Sequence, residues 1–408
     1  MNRNVKSIYP EYLSNFKCIG GKCEDTCCKD WTIYIDKNTF GQYKNIEDID
    51  LNKYINNNII RHNTCKNENS DYGHIKLNDS NICPFLDKDN YCMIQKKLGE
   101  SYLGNVCTNF PRIINKIDHT YEISLDVSCL EAAKIILLNK EKMKFMQGNT
   151  ILKNDMINDT IDTKNRNMEY SNERYVKQLR NVSIEIMQNR VLRIDERFAM
   201  LGHFLHGAIR ELTYNYFQLY DYIESYNTDS LISTIDKSFM DYMMQISFFR
   251  KLVRMLYDEK FNISINLKNI INTAIEGFQF NNGQSMIDKQ DKYVYAYTEF
   301  HKNILSKYSY IFENYIVNHI FKELFPFSNS DVVFDDYIML VIRYSFVKFI
   351  LIGNTLAHKN EKITEEDIIK VIQVFSKEIE HNEQYLSDVR KYLKRDELYT
   401  ERFAGILL

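Results

Sequence analysis

The chain has 408 residues, 44% of them hydrophobic, which is enough for two or three ordinary domains and a sizeable buried core. With 52 basic against 55 acidic residues and a formal net charge of −3, it lacks the basic field that a phosphate backbone or an anionic membrane attracts. Neither nucleic acid nor membrane is an expected partner.

The opening MNRNVKSIYPEYLSNF has no long apolar run and no small-residue cleavage site, so it does not read as a signal peptide. A cytoplasmic protein is expected, and its cysteines should stay reduced. There are nine of them, and all lie before residue 130. That segregation is what core cysteines scattered for packing would not show. The same segment, residues 1–145, holds Pro10, Pro84 and Pro111, three of the chain's four prolines, and six of its thirteen glycines. It is predicted to be an irregular, cysteine-rich, metal-binding domain tied together by something other than a large apolar core.

Within it, CIGGKCEDTCCKDW opens the spacing C-x4-C-x3-C-C, and C-x8-C, C-x14-C and C-x21-C follow. Thiolates bind soft metals, so Cys18, Cys23, Cys27, Cys28, Cys83, Cys92, Cys107 and Cys129 are candidate ligands. Spacing alone leaves iron–sulfur and zinc both open. Neighbouring side chains of an extended backbone point to opposite faces, so Cys27 and Cys28 are not expected to clamp one zinc together. Gly20 and Gly21 suit a tight turn beside such a site. Cys65, in the polar stretch RHNTCKNENSD, has no nearby cysteine and is left outside the site.

Residues 146–175 are polar with little periodicity and read as a linker or exposed excursion. Beyond them, residues 176–408 are predicted to form an α-helical bundle, making the whole chain mainly α. Phe198, Leu201, Leu205, Ala208, Leu212, Tyr216, Leu219 and Ile223 recur at steps of three or four, as on one face of a long helix. Helices are also expected over Ile235–Leu256, Tyr293–Phe321 and Tyr337–His358, and after Thr364-Glu365-Glu366-Asp367, an N-terminal cap. The apolar run YIMLVIRYSFVKFILIG is interrupted by Arg343 and Lys348, so it is predicted to be a buried helix rather than a membrane span. No strong strand run is expected after residue 130.

Three N-terminal stretches, CIGGKCEDTCCKDWTIYIDKNTFGQY, CPFLDKDNYCMIQKKLGESYLGNVCTNFPR and ISLDVSCLEAAKIILL, resemble the cysteine-rich region of the flagellin lysine-N-methylase family. That cysteine pattern is shared with a broader set of iron- or zinc-chelating proteins. In the C-terminal part VLRIDERFAMLGHFLHGAIREL, ENYIVNHIFKELFPF, RYSFVKFILIG and VIQVFSKEIEHNEQYL are similar to the same family, so the resemblance runs along nearly the whole chain. One departure is Leu130, where a proline is expected after Cys129. The resemblance implies methyl transfer from S-adenosylmethionine to lysine ε-amines of flagellin, with a cysteine-ligated metal centre that is a [4Fe–4S] cluster or, alternatively, zinc.

Support from other motifs is thin. No glycine-rich strand-to-helix turn of the Rossmann kind is present, and Cys23-x3-Cys27 lacks the further x2-Cys of a radical enzyme. Asp30 and Trp31, directly after the cysteine pair, and Arg112, near Cys107, are the candidate cofactor-binding residues. No catalytic base can be singled out. Gln188-Asn189-Arg190 and Glu380-His381-Asn382 are polar triplets in apolar surroundings, and an interhelical hydrogen-bond network is the favoured reading for both. The competing function is an iron–sulfur or zinc module without transferase activity.

Overall fold

A computed structural model describes residues 3–65, 67–165, 171–214, 218–226, 241–279, 286–328, 332–357 and 363–408. Parts of four expectations lie outside the described residues: 166–170 of the excursion, Tyr216 of the helical stripe, Ile235 to Met240, and His358. The chain divides into two compact units, one made of residues 1–135 and 144–160 and the other of residues 136–143 and 161–408.

The first unit is built on strands β1 (Arg3–Pro10), β2 (Tyr34–Ile35), β3 (Ile59–Arg61), β4 (Gly73–Ile75), β5 (Arg112–Ile117), β6 (Thr120–Leu125) and β7 (Phe145–Leu152), with β8 (Thr160–Ile161) at its end. They form a mixed five-stranded sheet in the order β7-β1-β6-β5-β8 and a small antiparallel sheet in the order β2-β4-β3. β1 pairs parallel with β6 and antiparallel with β7, from Arg3 opposite Leu152 to Pro10 opposite Phe145. The unit is therefore more regular than the sequence predicts. It also has apolar cores of its own: Ile33, Ile35, Phe40, Tyr43, Ile55 and Phe85 form one cluster, and Val5, Ile114, Tyr121, Ile123 and Leu152 another. The predicted excursion begins with β7, a strand after residue 130 that was not expected. Its FMQGNTIL sequence buries few side chains, so pairing with β1, not a hydrophobic pattern, makes it a strand.

The second unit is helical. The predicted stripe divides into Ile194–Tyr214 and Leu219–Ser225, with Phe198, Leu201, Leu205, Ala208 and Leu219 wholly buried. Further helices span Tyr242–Leu256, Ile265–Phe278, Met286–Phe300, Ser306–Lys322, Val333–Ala357, Glu365–Phe375 and Glu383–Arg395. Polar caps set several starts, because a side-chain oxygen satisfies an otherwise orphaned first-turn N–H: Asp241, Ser264 and Asn382 each accept such a bond. Thr364 and Asp367 form the reciprocal capping box anticipated from the sequence. Two single π-turns, His301–Leu305 and Ser376–Glu380, interrupt the helical ladder.

The Val333–Ala357 helix is long and apolar enough to cross a membrane, yet 89% of its most apolar stretch is buried inside the structure. It packs on Ile265–Phe278 through glycine. A Cβ on Gly353 would stand 2.6 Å from the Ala274 carbonyl oxygen, and one on Gly277 would overlap the Gly353 carbonyl oxygen. Backbones approach this closely only where a side chain is missing.

Candidate functional site

In the first unit a series of tight turns presents the cysteines. Gly20 adopts φ +59° in the turn Gly20–Lys22, and the Cys23 N–H closes it on the Gly20 carbonyl at 3.0 Å. Gly21 lies so near the Tyr91 ring and the Asp89 carbonyl that a Cβ would come within 2.9 Å of both. Asp87 accepts the N–H groups of Asp89 and Tyr91, each at 2.9 Å, and so shapes the loop that returns Cys92 towards Cys83. Buried Asp36 caps Lys37–Lys44 and accepts the Asn105 N–H at 2.9 Å, which anchors the short helix carrying Cys107.

These turns gather the thiols into neighbourhoods. The Cys83 N–H donates to the Cys28 carbonyl at 2.8 Å, and Cys28, Cys83 and Cys92 share the first apolar cluster. Cys107 is within electrostatic reach of all three. A second neighbourhood joins Cys129 to Cys23 and Cys18. Cys27 reaches both, because its side chain is hydrogen-bonded to Cys28 and it interacts with Cys107 and Cys129. The extended backbone on which the expectation for the adjacent pair rests is not found here. Cys27 and Cys28 lie in a turn rather than an extended segment, so their side chains meet instead of diverging. Burial pushes the Cys83 thiol up to about 12, a backbone hydrogen bond from Phe85 opposes that shift, and Cys28 and Cys92 add to it.

A soft metal fits this donor set in its chemistry: eight thiols, within electrostatic reach of one another in two groups. The arrangement is open, since among the described residues no three Cys, His, Asp or Glu side chains converge closely enough to hold one metal ion.

Asp30, Trp31 and Arg112 make bracing contacts around the thiols. Asp30 has φ 65°, and its N–H donates to the Asn81 carbonyl at 2.9 Å. Trp31 donates from Nε1 to the Cys27 carbonyl at 2.6 Å and packs on Phe110 with ring centroids 5.4 Å apart. Arg112 lies over the Phe16 ring at 5.2 Å, within electrostatic reach of Cys18.

The second unit holds buried charge that the hydrophobic pattern did not announce. Asp195 accepts from the Tyr344 hydroxyl at 2.9 Å, pairs with Lys348 Nζ at 3.4 Å and faces His301 Nδ1 at 3.7 Å. Lys348 also donates to the Leu408 carbonyl, and its ammonium stands 5.0 Å from the Tyr297 ring and 5.2 Å from that of Tyr344. Burial lowers the pKa of Lys348 against the pull of Asp195. Burial, and then Lys348, bring His301 down to about 4, although Asp195 acts in the other direction. The His301 ring stacks on Tyr297 at 4.2 Å, and its Nε2 is buried without a hydrogen-bond partner.

The two polar triplets belong to further networks. Gln188 donates to the Met143 carbonyl at 3.0 Å, and Arg190 donates to both oxygens of buried Glu313, which Arg197 also grips at 2.7 Å. Asn382 caps Glu383–Arg395, while Glu380 closes the second π-turn with a buried carboxylate. Arg343 and Lys348 left a trace in the sequence as charges breaking an apolar run, and Arg190 and Glu380 as members of the two polar triplets. Nothing in the spacing of Asp195, His301 and Glu313 sets them apart.

No solved structure resembles the chain significantly. Among characterised proteins, it is 34% identical over 142 residues to the flagellar biosynthetic protein FliU of Salmonella muenchen, covering 35% of this chain and 82% of FliU. It is 32% identical over 150 residues to a lysine-N-methylase of Salmonella typhimurium, and the same holds for one of Salmonella choleraesuis. These matches cover 36% of this chain and 37% of each lysine-N-methylase, little more than a third of their length. Residues 180–407, most of the helical unit, match the model of the FliB lysine N-methylase C-terminal domain. The match spans more than half of the sequence, and the chain belongs to the FliB lysine N-methylase family.

Proposed function

We propose that the protein transfers a methyl group from S-adenosylmethionine to lysine ε-amines of flagellin in the cytoplasm, and that its thiol-rich unit holds an iron–sulfur centre. The observation that carries this reading is the family match across residues 180–407. The flagellar name of the FliU relative supports a flagellar protein as substrate.

The chemistry asks for positioning more than for activation. The transferred carbon leaves a sulfonium, so the S–CH₃ bond breaks, the N–CH₃ bond forms, the sulfonium becomes a neutral thioether and the amine gives up a proton. The nucleophile is the obstacle. At pH 7 a lysine of ordinary pKa is neutral in about one molecule in a few thousand, a handicap of about 4 to 5 kcal/mol. A desolvated slot with aromatic walls offsets part of that by lowering the amine pKa and aligning its lone pair. Lys348 is an instance of this effect within the chain, its own pKa lowered by burial between Tyr297 and Tyr344.

For the metal, Cys28, Cys83, Cys92 and Cys107 would form one set of ligands and Cys18, Cys23 and Cys129 another, with Cys27 adjoining both. A [4Fe–4S] cluster held by only three of these thiols would leave one iron without a protein ligand and so electrophilic, whereas zinc would supply a structural tie. Trp31, through the Cys27 carbonyl, and Asp36, through the Asn105 N–H, fix the loops that carry those thiols.

Anaerobic incubation of the full chain with S-adenosylmethionine and flagellin, read by intact mass, tests the reading. Whole-methyl mass increments on flagellin that require the protein are expected. No increment, from protein that binds iron and is folded, would leave a metal-binding module without transferase activity. Colourless protein with stoichiometric zinc would replace the iron–sulfur assignment.

A further inference from the structure

Two charged groups in the core of the second unit each keep an unused hydrogen-bonding position beside the other. Glu380, at the end of the π-turn Ser376–Glu380, has a side chain only 4% exposed, and that of Arg343, on the Val333–Ala357 helix, is 9% exposed. Glu380 Oε1 accepts the Tyr315 hydroxyl at 2.6 Å and lies 3.5 Å from Arg343 Nε and 3.8 Å from His319 Nδ1. Its Oε2 is buried and accepts nothing, and Arg343 Nε is buried and donates nothing. A buried, unsatisfied polar atom is ordinarily costly, and more so when it is charged. Two of them side by side require an explanation.

The surroundings keep Glu380 charged. Burial alone would raise the Glu380 pKa, but His319, Lys322, Arg343 and the Tyr315 hydroxyl together hold it below the usual carboxylate range. Lys322 is engaged with Glu323, and Asp336, raised to about 6 chiefly by burial, faces Arg343 electrostatically. A carboxylate oxygen with an open lone pair, next to a guanidinium with an open N–H, is complementary to a small ligand bearing an ammonium and a carboxylate on one carbon.

We infer that Glu380 and Arg343 form a receptor for an α-amino-acid headgroup, Glu380 Oε2 accepting from the ammonium and Arg343 Nε donating to the carboxylate. Its source is the methionyl part of the methyl donor or a free amino acid. The first source rests on the methyltransferase reading above.

Calorimetry on the full chain with three probes separates the possibilities: S-adenosylhomocysteine, methylthioadenosine, which lacks the headgroup, and free methionine. Glu380→Gln and Arg343→Gln should each weaken S-adenosylhomocysteine binding tenfold or more and leave methylthioadenosine unchanged. Circular dichroism checks folding, and if either variant unfolds, Glu380→Asp and Arg343→Lys move the charge without removing it and should still weaken the headgroup probe. Methionine binding that is lost in the variants, with no binding of S-adenosylhomocysteine, would uphold the receptor and reject the methyl-donor source. S-adenosylhomocysteine binding with the same affinity in folded variants as in the parent would overturn the receptor and leave the methyltransferase reading standing.

Discussion

The two units solve the problem of a stable interior in opposite ways. The first has short strands, two small apolar clusters and eight thiols in neighbouring turns. The second packs long helices around wholly buried residues such as Leu252, Ile311, Phe312, Ile316 and Val341, and it places charge inside that core. Segments that bury little apolar surface depend on other ties, whereas long amphipathic helices do not. The helical unit should therefore be sensitive to packing and to buried charge, and the thiol-rich unit to metal.

The largest effect is expected where the two central helices touch. Gly277→Ala places a methyl group on the Gly353 carbonyl oxygen, a backbone atom that cannot rotate away. It should destabilise the second unit by roughly 3 kcal/mol, visible as an earlier thermal transition in helical circular dichroism. A Gly277→Ala variant as stable as the parent would mean that the helices part easily.

Acid is the next probe. His301 is neutral in the fold, with a pKa brought down to about 4, while an unfolded histidine titrates near 6.5. Its contribution is fully present above about pH 6.5 and is lost as pH falls towards 4, by up to about 3 kcal/mol. Comparing thermal midpoints of the parent and His301→Gln at pH 7.5 and pH 5 isolates this term. The parent should lose more stability on acidification than the variant, and equal losses would show that His301 is not desolvated. A smaller effect, about 1 kcal/mol, is expected for Thr364→Ala, which removes one arm of the capping box. Denaturant titration should register it in the second unit.

The sequence showed the helices more clearly than the sheet. Stripes at three- and four-residue steps and the Thr364 cap are local signals, and they mark Ile194–Tyr214, Val333–Ala357 and Glu365–Phe375 well. The parallel pairing of β1 with β6 brings together Ser7 and Tyr121, over a hundred residues apart, and β7 has no alternating apolar pattern to reveal it. At the candidate site, the segregation of cysteines was plain, but their grouping was not, because turns at Gly20–Lys22, Cys27–Cys28 and Asp87–Tyr91 decide which thiols meet. The buried charges were the least legible part. Whether Glu380 faces solvent or Arg343 depends on a π-turn, and one extra residue in a helical turn rotates everything after it.

Amide hydrogen exchange on the full chain, purified anaerobically and compared before and after chelation, tests the contrast between the units most directly. Loss of metal should sharply reduce protection in the segments carrying Cys18–Cys28, Cys83–Cys92 and Cys107, while the helices Ser306–Lys322 and Val333–Ala357 stay as protected as before. Unchanged protection in the cysteine-bearing segments after complete metal removal, or equal loss in both units, would contradict the account.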